Sequence, residues 1–223
     1  MKKLIASIAI AAATYVSAQA QGLVIFNNTT ATKIGTNAAV GGSESGFTAA
    51  WTSQAFYYAL FLSAGDTSVG GSANSVLPTP SGNGTYVFNA SDAANWTQVA
   101  LATNTTAGKL LSTTGNSSFY TTIAGLAAGN VGNFVLVGWS GNLGNSIAQL
   151  ENSLTTTVGW LGESAVGQIE AGDGVSVPVN SVFGSASPSI TPFVLGLTTV
   201  PEPGTLALAV LGGASMLLFR RKK

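Results

Sequence analysis

The chain has 223 residues, with eight basic and eight acidic side chains and neither histidine nor cysteine. Those two absences remove Ser-His-Asp and Cys-His nucleophile systems, the usual zinc sites and disulfide staples, so the fold must stand on an apolar core. The net neutrality is uneven: six of the basic residues lie at the two ends, and Lys33 and Lys109 against seven acids leave residues 21–199 at −5, which disfavours nucleic acid as a partner.

Met1-Lys2-Lys3, the apolar stretch Leu4 to Val16 and the small-x-small site Ala18-Gln19-Ala20 have the layout of a secretory signal peptide. The expected cut follows Ala20 and leaves Gln21 as the new N-terminus, with signal peptidase and the Sec machinery as partners. About 180 residues then form the body, enough for one domain that buries roughly 70% of the surface its unfolded chain exposes.

That body is rich in Gly, Ser, Thr, Asn and Ala, yet its low charge and its apolar stretches argue against disorder. Apolar residues recur with the period of strands, in short runs punctuated by Gly, Asn, Ser and Pro. The predicted strands are Gly22 to Asn27, Ala55 to Ser63, Thr85 to Asn89, Trp96 to Thr103, Ser118 to Ile123, Asn133 to Trp139, Val175 to Val179 and Phe193 to Thr198. Thr29 to Ser45 and Gly65 to Gly84 read as long loops within one domain.

The run AFYYALF in Ala55 to Ser63 suits a central strand covered on both faces, and NFVLVGW in Asn133 to Trp139 is its expected packing partner. Ser146 to Leu154 places Ile147, Leu150 and Leu154 on one side of a short surface helix, with Asn145 available as a cap. The fold class expected is all-β: a single β-sandwich of jelly-roll or Ig-like type over 21–199, with a short helix near 146–154. A signal helix precedes it and a short transmembrane helix follows.

Chemistry-bearing residues are sparse, and the sequence predicts no catalytic residue, no metal site and no cofactor. Glu163 and Glu170 could serve a glycosidase only if they faced each other across a sugar, about 5 to 9.5 Å apart. Asp66 and Asp173 in Gly-flanked loops lack the spacing of a calcium repeat. Of the four tryptophans, Trp139 reads as core. Trp51 and Trp96 sit among polar residues and are the candidates for an exposed sugar-stacking face.

The C-terminus is the most informative segment. Val200-Pro201-Glu202-Pro203-Gly204 is extended by its prolines, and the uncharged run Thr205 to Phe219 would cover about 22 Å as a helix, short of the ~30 Å hydrocarbon core. Arg220, Arg221, Lys222 and Lys223 then act as a stop and stay cytoplasmic, which places the body outside.

Signal peptide, Pro-Glu-Pro at 201–203, Gly204, short apolar helix and terminal basic cluster together resemble the PEP-CTERM exosortase substrates, exported proteins of Gram-negative bacteria. The resemblance implies that 205–219 is held for a time in the inner membrane. An exosortase, a membrane-embedded cysteine protease, then cuts near Pro-Glu-Pro, and the protein goes to the cell surface or the extracellular matrix. FVLVGWSGNLGNSIAQLENS at 134–153 and GWLGESAVGQIEAGDG at 159–174 also resemble stretches of small PEP-CTERM proteins of verrucomicrobial and planctomycete type, which brings no activity with it. A structural or adhesive role, non-enzymatic, is the expectation for the body; a carbohydrate-binding module for matrix polysaccharide is the alternative, and a glycoside hydrolase ranks below it.

Overall fold

The structure, a computed structural model, describes residues 21–37, 46–48, 55–63, 65, 78–80, 86–88, 95–113, 119–185 and 188–198. Its centre is the antiparallel pair β4 (Phe56–Ser63) and β10 (Val131–Ser140), in register from Asn133↔Ser63 to Ser140↔Phe56. Both strands are apolar on both faces, and each face has its own core. Phe56, Tyr58, Leu60, Phe134 and Leu136 point into one. Ala59, Phe61, Val135, Val137 and Trp139 point into the other. The expected pairing of these two segments is therefore present, and their continuous apolar runs follow from burial on both sides.

The large sheet extends in both directions from this pair. Beyond β4 lie β7 (Thr97–Thr106) and β8 (Lys109–Ser112). The other edge of β10 is shared by two short strands in line, β11 (Trp160–Glu163) and β12 (Gly167–Glu170). Ser164 makes the break between them tolerable. Its backbone N–H donates to the Leu136 carbonyl at 2.9 Å, and its Oγ accepts from the Leu136 N–H at 3.0 Å, so the central strand keeps both bonds where the ladder is interrupted.

Outside β11 come β13 (Val194–Leu197), then β2 (Gly35–Asn37) in parallel and β3 (Gly46–Phe47). A smaller two-stranded sheet of β1 (Gln21–Ile25) and β9 (Tyr120–Ala127) contributes Val24, Ile123 and Leu126 to the first core. The free edge of β1 is bonded in turn to the segment after β12: Leu23 exchanges both backbone bonds with Gly172, and the Ile25 N–H donates to Asn180. Phe26 stacks on Phe183, with ring centroids 6.1 Å apart. The second core is roofed by α1 (Ile147–Ser153), which lays Leu150 on it, and by Leu143 and Leu154 on either side.

The chain is thus mostly β, with one short helix and a curled sheet, in line with the expected strand-rich body. Several elements differ from expectation. Val175 to Val179 is not a strand: Asp173 draws the chain into a turn there, and Val175 is 95% exposed. The α1 cap is Ser146 rather than Asn145. Its hydroxyl accepts from the Gln149 N–H, and the Gln149 side chain reaches back to the Asn145 N–H at 2.8 Å. Both presumed loops contain short elements: a 3-10 turn at Thr30–Thr32 with β2 in the first, and β5 (Pro78–Pro80) in the second, paired to β6 (Tyr86–Phe88), which lies within the predicted strand Thr85 to Asn89. The signal segment 1–20, Trp51, Asp66 and the C-terminal segment 199–223 lie outside the described residues.

Candidate functional site at the two ends of the central strand

Gln21 and Thr198, the first described residue and the last before the C-terminal segment, lie at opposite ends of β10. At the C-terminal side, Leu197 pairs with Trp160, and Thr198 is bonded twice to Gly159. The Thr198 N–H donates to the Gly159 carbonyl at 2.8 Å, and its hydroxyl accepts from the Gly159 N–H at 2.9 Å. The Trp160 N–H next to this contact donates to Ser140 Oγ at 2.8 Å, which fixes the exit point at the Ser140 end. Ser140 Oγ donates onward to Asn142 Oδ1, whose amide holds the Val158 carbonyl at 2.7 Å. Gly144 has φ +105° and faces Gln149 so closely that a Cβ would sit 2.4 Å from the Gln149 Cβ. The Trp139 indole N–H donates to the Gly144 carbonyl at 2.8 Å. The exit point is held by a network of short polar side chains.

At the N-terminal side, Gln21 pairs with Ala127, four residues before β10 begins. Gly22 lies against Ala171, where a Cβ would come within 2.4 Å of the alanine methyl group. Ala171 follows Glu170, the partner of Val131, so β1 enters at the Val131 end. Ten residues of strand separate the ends, roughly 30 Å. The Val131 end carries a groove of about 470 Å³ lined by Gln168, Glu170, Asn180, Ser189 and, deeper, Phe183. Gln168 Nε2 donates to Asn133 Oδ1 at 3.1 Å, and Asn180 Nδ2 donates to the Glu170 carbonyl at 3.0 Å.

The structure does not bring the acids singled out in the sequence together. Glu163 pairs with Val137 and Glu170 with Val131, six residues apart on one strand, or about 20 Å, which is too far for a glycosidase pair. Asp173 spends its carboxylate on its own turn. Oδ1 accepts from the N–H groups of Val175, Ser176 and Val177, each at 2.8 Å, and Oδ2 accepts from the Ser176 hydroxyl. These donors, the Ser176 hydroxyl first, hold its carboxyl far below the usual carboxylate range. Among the described residues no three acidic side chains converge on a point that would hold a metal ion.

The three described tryptophans face inward. Trp96, expected at the surface, is 3% exposed and packs in the second core, so it presents no open face to a sugar. Its indole N–H is buried without a hydrogen-bond partner among the described residues. Trp139 is fully buried, as its strand predicted, and Trp160 is buried as well. Tyr58 crosses over Gly138, donates to Thr48 Oγ1 at 2.8 Å, and is pushed well above the usual phenol range by burial.

The tail beyond Thr198 matches a known family. Residues 199–222 carry the PEP-CTERM protein-sorting motif. The motif marks an exported chain that is anchored and processed at the membrane by an exosortase. No curated protein and no solved structure matches the chain. The PEP-CTERM segment begins in sequence at the residue after Thr198. No helix among the described residues is long and apolar enough to cross a membrane; the apolar run 205–219 lies beyond them.

Proposed function

We propose that this is an exported, exosortase-processed protein whose body, residues 21–199, has a non-enzymatic structural or adhesive role at the cell surface or in the extracellular matrix. On this reading residues 1–20 are a signal peptide removed after Sec-dependent export. Residues 200–223 hold the chain in the inner membrane, through 205–219 and the stop at Arg220 to Lys223, until the exosortase acts. The β1–β9 layer and the curled sheet it covers form a β-sandwich that travels as rigid cargo. The observation that carries the reading is the PEP-CTERM protein-sorting motif at 199–222, which in sequence directly follows the doubly bonded contact of Thr198 with Gly159. Fractionation of cells producing the full chain tests it: the body should accumulate outside the inner membrane with its C-terminus removed near Pro201 to Pro203. A body found only in the cytoplasm would refute it.

One observation favours a second reading, a carbohydrate-binding module for matrix polysaccharide. The groove at the Val131 end presents amides, a carboxylate and hydroxyls beside an aromatic residue, a lining suited to a hydroxyl-rich ligand. A glycan array probed with the processed protein separates the two readings. Binding that Gln168→Ala and Asn180→Ala both abolish would establish the module, and a blank array would leave the structural role.

A further inference from the structure

Gln21, the first residue of β1, carries an exposed side-chain amide that has no hydrogen-bond partner among the described residues. Exposed amides elsewhere, at Gln149, Gln168 and Asn180, are each tied to a neighbouring group. Gly22 packs against Ala171, and side chains alternate along a strand, so the Gln21 side chain is directed away from that contact. Beside it β9 loops out. Gln21 pairs with Ala127 but Gly22 with Ile123, which leaves 124–126 without a partner on β1, and Gly125 there has φ +83°. The result is an open cavity of about 310 Å³ lined by Gln21, Gly125, Leu126, Ala127 and Asn130, none of them charged.

In the precursor the Gln21 nitrogen is a peptide amide and not a nucleophile. Removal of residues 1–20 turns it into an α-amine, whose ordinary pKa of about 7.7–8.0 leaves part of it unprotonated near neutral pH. Its own side-chain carbonyl carbon, Cδ, is then within reach through a five-membered ring, and attack within one residue gains heavily from proximity. The N–Cδ bond forms, the Cδ–Nε2 bond breaks, and Nε2 leaves as ammonia with one proton taken from the amine. Nothing is oxidised or reduced. The ring contains only the nitrogen, Cα, Cβ, Cγ and Cδ of residue 21, so the Gln21 carbonyl and the β1 register from Gly22 onward are undisturbed. The cavity leaves room for the ring, and without a charged side chain in its lining it gives the ammonium form no counter-charge.

We propose that Gln21 is a modification site: the mature body is capped there as pyroglutamate, formed in the folded state while β1 stays paired. The cap removes a positive charge from a body whose only cationic side chains, over 21–199, are Lys33 and Lys109. It also leaves aminopeptidases no α-amine to grip. The proposal rests on the reading that signal peptidase cuts after Ala20, and the experiment below separates the two.

The processed protein is purified natively from cells producing the full chain. Its intact mass is read before any digestion, and its N-terminal peptide is then sequenced by tandem mass spectrometry. Most molecules should begin at residue 21 and be lighter than the open form by one ammonia. Gln21→Asn should keep its full mass, because the same closure would need a strained four-membered ring. An open Gln21 in the natively purified protein, whether or not it closes later in urea, would overturn the cap and leave the signal-peptidase cut standing. Ammonia loss that persists in Gln21→Asn would place the loss at another amide and overturn the cap as well. An N-terminus at any other residue would overturn the cut and the cap together.

Discussion

Thr198 and Gly159 are bonded to each other twice, and one of those bonds uses the Thr198 hydroxyl where a strand would use a backbone carbonyl. Gly159 is buried, so its N–H has no water to turn to. This side chain closes the sheet at the point where the sorting segment begins. Thr198→Val should cost about 1 to 3 kcal/mol, the penalty for a buried donor left unmade, whereas Thr198→Ser should stay near wild type. Urea denaturation of the full chain gives the cost, and faster amide exchange at Gly159 locates it.

Trp96 and Trp139 lie in the same core but differ in one bond, which gives their substitutions opposite signs. Trp139 donates to Gly144, and Trp139→Phe should cost about 1 to 3 kcal/mol with loosening of the 141–145 turn. Trp96 buries an indole N–H with no partner among the described residues, so Trp96→Phe removes a desolvated donor and should be neutral or stabilising by about 1 kcal/mol. Denaturation midpoints of the two variants check the contrast.

How far the sequence announced this structure depends on the kind of residue concerned. β4 and β10 were legible because continuous apolar runs leave little alternative to burial on both faces. β11 and β12 were not. Each is four residues long and contains a glycine, and the break between them depends on a serine hydroxyl bonding Leu136, a contact between residues 28 apart. Val175 to Val179 has the alternation of a strand, but the Asp173 carboxylate gathers three N–H groups locally and wins. Trp96 looked exposed because its sequence neighbours are polar, while its actual neighbours come from distant strands. The sorting tail was legible in full because its signal is local: two prolines, an apolar run and four cations. The groove at the Val131 end was invisible, since Gln168, Asn180 and Ser189 are unremarkable in a chain so rich in polar residues.

Asp173 supplies a pH dependence with a definite sign. Its folded pKa is depressed below the unfolded value of ~3.9, so its contribution is present above that value and is lost as pH falls through the folded pKa. Acidification below the ordinary carboxylate range should therefore release the N–H groups of Val175, Ser176 and Val177. Amide exchange followed against pH should show this step, and Asp173→Asn should lack it.

β1 is closed in on both edges, by β9 and by the 172–182 segment, and Val24 and Phe26 are fully buried. The expected signal-peptidase cut falls immediately before Gln21, the first residue of this strand. Cleavage should therefore require β1 to be unpaired. Purified full-length precursor should resist signal peptidase when folded and be cut after Ala20 when unfolded in urea. Phe26→Ala, which should cost about 3 to 5 kcal/mol, should restore cleavage under native conditions. Mass spectrometry of the products reads the outcome.

Replacement of Pro201, Glu202 and Pro203 by alanine tests the central claim most directly, because it leaves the body and the apolar run untouched while removing the motif. Fractionation of cells producing this variant should find full-length protein, less its signal peptide, retained in the inner membrane. Release of the variant at the wild-type rate, with the same C-terminal processing, would contradict the account.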